Sequence, residues 1–181
     1  MVNLFDTSEW MNVPIHDSNI NVDMHRLAST AGGAASLLVR FPAGWRRDAV
    51  GHYLCDEEFI VIKGQLNLSG HVYQPGEYGF VPALGQRFAS SVEGETWAVA
   101  WFNARPTWVL DPERDPEAHA KTLKYSALSP RVLREATEQM PLLVVGADDR
   151  LSAEVEVIDV DHATWHVGPP SSVLINRGQW Q

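Results

Sequence analysis

A chain of 181 residues, 45% of them hydrophobic and 20% charged, is long enough to enclose a core and falls within the size of one domain, or one domain with an appendage. Its 14 basic and 23 acidic side chains leave a net charge of −9, which argues against nucleic acid or an anionic membrane as the main partner, since both would be repelled over most of the surface. No run of about 18 apolar residues is present to span a membrane as a helix. The opening MVNLFDTSEW lacks a basic stretch followed by an apolar one, so no secretory signal is expected. Cys55 is the only cysteine; it admits no intrachain disulfide and points to a reducing cytoplasm as the expected location. It follows His52 by three residues, but a lone thiol is more often an inert small hydrophobe than a nucleophile.

Strand signals come first along the chain. Residues 22–28, 34–41, 58–63, 65–68, 71–74, 78–82 and 96–102 alternate or run apolar, and the turns GQ at 64–65, SGH at 69–71 and QPGE at 74–77 separate several of them. Short strands at this spacing predict an all-β sandwich or barrel, because a parallel α/β sheet needs helical crossovers that residues 20–104 do not offer. After Trp108 the composition changes. Asp115-Pro116 and Ser129-Pro130 suit helix starts, and Val132, Leu133, Ala136 and Met140 recur at helical spacing before Pro141. The segments 142–145, 153–160 and 172–175 then read as returning strands. The expectation is one all-β domain over 1–181, with its core barrel at about 20–104 and short helices and returning strands in 111–181.

The stretch GWRRDAVGHYLCDEEFIVIKG, residues 44–64, holds His52, the acidic pair Glu57-Glu58 and a closing Gly64; GEYGFVPALGQRF, residues 76–88, adds a turn glycine and a proline-led turn. These two stretches resemble the motifs of the cupin superfamily, G-x5-H-x-H-x4-E-x6-G and G-x5-P-x-G-x2-H-x3-N. Gly44, His52, Glu57 and Gly64 match the first at the right spacing, and Gly76 and Pro82 match the second. The resemblance covers about residues 20–104 and implies an antiparallel jelly-roll barrel that commonly forms homodimers. The departures are as informative. Val50 stands at the first histidine position, Arg87 at the third, Leu84 at a glycine and Ser91 at the asparagine. The metal motif is therefore degenerate: of three histidines and a glutamate, His52 and Glu57 remain.

A divalent transition metal in such a barrel wants three or four imidazole and carboxylate ligands, and a guanidinium has no lone pair to give. The reading favoured here is a site without metal, in which Arg87 pairs with Glu57 or grips an oxyanion of a ligand. If a metal is bound, His52 and Glu57 are its expected ligands, with His25, His71, His162 and His166 the places to look for others. Glu57 shares the inward parity of Phe59 and Val61, whereas Glu58 is expected to face solvent. Tyr53, Phe59, Tyr78, Trp97 and Trp101 are the expected walls of an aromatic-lined pocket for a small organic ligand.

Three functions follow. The first is an acid-base enzyme (isomerase, cyclase, dehydratase or lyase) acting on a carbonyl or aromatic compound, with His52 moving a proton, Glu57 orienting it or serving as base, and Arg87 stabilising oxyanion charge. The second is a metal-dependent cupin such as a dioxygenase. The third is a binding or sensor protein that has kept the barrel without the chemistry.

Overall fold

The structure, a computed structural model, describes residues 1–113, 123–126, 131–146 and 148–180. Two compact units emerge, Glu9–Lys124 and the combination of Met1–Ser8 with Tyr125–Gln181. The first strand, β1 (Val2–Asn3), belongs to the second unit. The larger unit follows with β2 (Met11–Val13), β3 (Val22–Ser29), β4 (Ala35–Phe41), β5 (Arg46–Arg47), β6 (Gly51–Tyr53) and β7 (Glu57–Lys63). It continues through β8 (Leu66–Leu68), β9 (His71–Tyr73), β10 (Glu77–Val81), β11 (Ser90–Ser91), β12 (Thr96–Phe102), β13 (Trp108–Leu110) and β14 (Leu123–Ser126). The seven stretches read as strands before Trp108 all form strands, each within a residue or so of its expected position. Five very short ones, β2, β5, β6, β11 and β13, carry too few residues for a pattern to register.

These strands assemble into a seven-stranded sheet in the order β14-β10-β7-β12-β4-β3-β2, antiparallel from β10 to β2, a four-stranded sheet β5-β11-β8-β9 and the pair β13-β6. The core lies between the two larger sheets. Phe41, Phe59, Val61 and Phe102 from the first meet Leu66, Leu68 and Tyr73 from the second, with the Phe59 and Tyr73 rings edge to face at 4.9 Å. Gly64 closes the β7–β8 turn at φ 78°, where an added Cβ would stand 2.5 Å from Thr96 Oγ1, so both backbone angle and space require glycine.

The second unit is a six-stranded sheet, β1-β18-β17-β19-β16-β15, whose later strands are β15 (Arg131–Arg134), β16 (Leu143–Val145), β17 (Val155–Asp159), β18 (Thr164–Gly168) and β19 (Ile175–Gly178). Two expectations are corrected here. Residues 131–134 are a strand and not the start of a helix: Val132 pairs with Val144, and Thr137 and Met140 close a tight turn through Thr137 N to Met140 O (2.8 Å) and Met140 N to Thr137 Oγ1 (3.0 Å). Leu133 and Met140 are buried as their apolar character requires, but strand pairing with β16 overrides the helical spacing. The last strand begins where the expected 172–175 segment ends, because buried Asn176 ties down the preceding turn through Ser171 N and the carbonyls of Gly146, Ser171 and Leu174. The helix start at Asp115-Pro116, like Ser129-Pro130, lies outside the described residues.

Gly79 on β10 sits opposite Phe59, where an added Cβ would fall 2.3 Å from the ring. Gly79→Ala is therefore expected to displace Phe59 and cost about 1–3 kcal/mol, read as a lower denaturant midpoint with an unchanged slope.

Candidate functional site

A cavity of about 520 Å³ opens inside the larger unit. Its origin is the alternation along β12. Ala98, Ala100 and Phe102 face inward and oppose Val61, Phe59 and Glu57 on β7, while Trp97, Val99 and Trp101 face the other way. With two alanines at the centre of the inner face, the sheet leaves room that Met24, Leu37, Val39 and Phe41 line with apolar surface. His16, Arg26 and Arg105 also contribute, all three with substantial solvent exposure.

One end of this space is polar. A small recess of about 50 Å³ shares Tyr53, Glu57 and Phe59 with the larger cavity and adds Arg47, Arg87 and Ser90. Arg87 is 1% exposed, and its Nη2 donates to Glu57 Oε2 at 2.9 Å, while the Glu57 side chain is 17% exposed. Arg87 Nη1 donates to the Gly85 carbonyl at 3.2 Å, which fixes the guanidinium plane. Backbone pairing of Gly51 with Arg87, at 3.1 and 2.7 Å, sets the turn that delivers this side chain. Tyr53 stands between two cations, its ring 4.5 Å from the Arg87 guanidinium carbon and its hydroxyl accepting from Arg47 Nη1 at 3.1 Å. Arg47 in turn stacks on Trp108 at 3.9 Å.

Glu57, Arg87, Tyr53 and Phe59 thus come together, and the other expected site residues do not join them. His52 neighbours Tyr53 on β6, so its side chain takes the opposite face; its Nδ1 stands 3.8 Å from Asp111 Oδ2. Trp97 and Trp101 lie on the face of β12 away from the cavity, Trp101 opposite Glu58 and Trp97 stacked near Arg40. Tyr78 shares that side, its hydroxyl donating to Glu58 Oε2 at 2.9 Å. Glu58 is buried there and does not face solvent as expected, because large aromatic neighbours cover it. His25 meets the Glu9 carbonyl through Nδ1 at 2.9 Å, His71 lies on β9, and His162 and His166 belong to the other unit. The sequence reading passes over Arg47. Its signal is the Arg46-Arg47 pair on a two-residue strand, where alternation must turn one arginine inward.

This donor set does not fit a transition metal. Among the described residues, no group of three or more His, Cys, Asp or Glu side chains is arranged to hold one. Of the two ligands expected from sequence, His52 is turned to the other face and Glu57 is engaged by a guanidinium that repels cations.

No protein-family model matches the sequence, and no curated protein matches it significantly. Solved structures do. A proposed dioxygenase from Nostoc punctiforme is similar with a TM-score of 0.61 at 16% identity, over 96% of this chain and 74% of that one. Protein Ylba from E. coli gives 0.54 at 12% identity, over 99% and 82%. The fold is that of the cupins. An acetylacetone dioxygenase from Acinetobacter johnsonii aligns over 51% of this chain and 66% of its own length, at 17% identity and a TM-score of 0.45. At 16% and 12% identity the likeness is one of fold, and the chemistry of this barrel rests on its own residues.

Cys55 is buried within the core of the larger unit. Burial first and then the nearby Glu57 charge push its thiol up to about 11, against an opposing pull from Arg87 that outweighs the small addition from Asp56. At pH 8 about one thiol in a thousand is ionised at such a pKa, so native protein is expected to resist iodoacetamide and to react once unfolded in urea. Rapid alkylation of the native protein at pH 8 would contradict this inert role.

Proposed function

We propose that the protein is a small-molecule enzyme that uses acid-base chemistry on a carbonyl compound, with Glu57 as the base and no metal in the reaction. The observation that supports this reading is the pairing of a single cavity carboxylate with the buried Arg87 guanidinium at the polar end of an otherwise apolar cavity. Arg87 engages Oε2 of Glu57 and leaves Oε1 without a hydrogen-bond partner among the described residues. Oε1 is the atom that takes a proton from the carbon next to a carbonyl. The C–H electron pair moves into a carbon–carbon double bond, and the carbonyl oxygen becomes an enolate. Tyr53, whose oxygen already accepts from Arg47, keeps its own O–H to donate to that enolate oxygen, and Arg87 supplies a fixed positive potential. Return of the proton to the same carbon completes exchange, and in a substrate whose next carbon–carbon bond is double, return to the γ-carbon of the dienolate completes isomerisation. The proton-moving role expected of His52 passes to Glu57, since His52 lies on the far face of β6.

The test is proton exchange. Proteins in D2O are mixed with aryl ketones and 2-oxo acids, 2-oxo-4-phenylbutanoate and 4-phenylbutan-2-one among them, and loss of the α-proton signal is followed by NMR. The expected result is catalysed exchange that falls on the order of 100-fold or more in Glu57→Gln. Saturable binding without exchange would contradict an enzyme and make the protein a carrier or sensor.

A further inference from the structure

Arg47 is 4% exposed, yet among the described residues it forms no ion pair. Its polar contacts are one bond from Nη1 to the Tyr53 hydroxyl and the Trp108 face, and its Nε is buried with no hydrogen-bond partner. Asp17, an acidic side chain that acts on it through space, is solvent-exposed and already accepts from Trp108 Nε1 at 3.1 Å. The charge of Glu57, the carboxylate in the recess, is matched by Arg87 through Oε2. Among the described residues the recess therefore holds two guanidinium groups and one carboxylate, an excess of one positive charge carried on guanidinium side chains that are themselves buried.

A buried guanidinium left without a counter-charge is costly, and a protein that retains one gains when an anion arrives. From this we infer that Arg47 is an anion anchor and that the ligand is a small organic anion, a carboxylate group joined to an apolar body. The recess of about 50 Å³ takes the carboxylate and the adjoining cavity of about 520 Å³ takes the body. Arg47 offers Nε and its second terminal nitrogen to two carboxylate oxygens, the fork geometry that guanidinium groups favour. Tyr53 holds the anchor in place, since its hydroxyl receives the other terminal nitrogen. Arg26 and Arg105 at the exposed part of the lining add to the positive field an incoming anion meets, against a surface that is negative overall. Within the proposed reaction, a 2-oxo acid or 3-oxo acid would be oriented with its carboxylate on Arg47 and its acidic carbon toward Glu57.

The inference rests on the cavity being a ligand site, and it is tested separately from turnover. Dissociation constants are measured by calorimetry for the matched probes 4-phenylbutanoate and 4-phenylbutanamide, and for 2-oxo-4-phenylbutanoate and 4-phenylbutan-2-one. In the unmodified protein each anion is expected to bind at least tenfold more tightly than its neutral partner. Arg47→Gln is expected to weaken the anions by on the order of 30-fold or more and leave the neutral probes near their original affinity. Arg47→Lys keeps the charge and should retain part of the preference. Neutral probes that bind as tightly as their anions in the unmodified protein would overturn the anchor while leaving the cavity reading intact, and this comparison needs no variant to fold. No binding by any probe would overturn both.

Discussion

A guanidinium that is 1% exposed and a carboxylate that is 17% exposed, 2.9 Å apart, set the conditions for everything else in the barrel interior. Attraction between unit charges at such a distance amounts to several kcal/mol at the effective dielectric of a protein, but the cost of drying both groups offsets most of it. The pair is therefore weak grounds for stability and strong grounds for geometry: removing either partner leaves a charge in a place that cannot hydrate it. It holds Glu57 at one orientation through Oε2, closes the recess around Tyr53 and places a fixed positive charge beside the carboxylate that a metal would otherwise require. Arg47 then stands as the cation left over.

The cavity and the pair depend on one another through strand parity. On β7 the inward positions are Glu57, Phe59 and Val61, and on β12 they are Phe102, Ala100 and Ala98. The alanines create the space, Phe59 walls it, and Glu57 places a charge at its end. On the other face Glu58 of β7 and Trp101 of β12 meet Tyr78 of the neighbouring β10, a buried polar arrangement in which the tyrosine hydroxyl donates to Glu58. Two adjacent glutamates thus have different work, decided by which way each residue points.

Much of this architecture is legible in the sequence. The strands before Trp108 follow from period-two alternation and turn residues, and Glu57 and Phe59 follow from parity once β7 is placed. Arg87 follows from the resemblance, because it stands where a cupin histidine would. His52 illustrates the limit. Motif spacing places it correctly along the chain, but the three-residue strand β6 is too short for alternation to show which side chain points inward, and Tyr53 takes that place. Trp97 and Trp101 fail for the opposite reason. Their parity is readable, but large aromatics suggest a ligand wall when they are packing on the outer face. Arg47 is only half legible, because the pair Arg46-Arg47 requires one arginine to turn inward but a two-residue strand does not say which, and the strand at 131–134 is set by pairing with distant residues 143–145.

The central claim, that a fixed organic cation stands where a metal would act, is tested most directly by metal binding. Untagged protein purified without chelator is incubated with excess manganese, ferrous iron, nickel or zinc, dialysed, and analysed for metal alongside Glu57→Gln. The account predicts substoichiometric metal that the substitution leaves unchanged. Near-stoichiometric metal in the unmodified protein, lost in Glu57→Gln, would contradict it and return the barrel to metal chemistry.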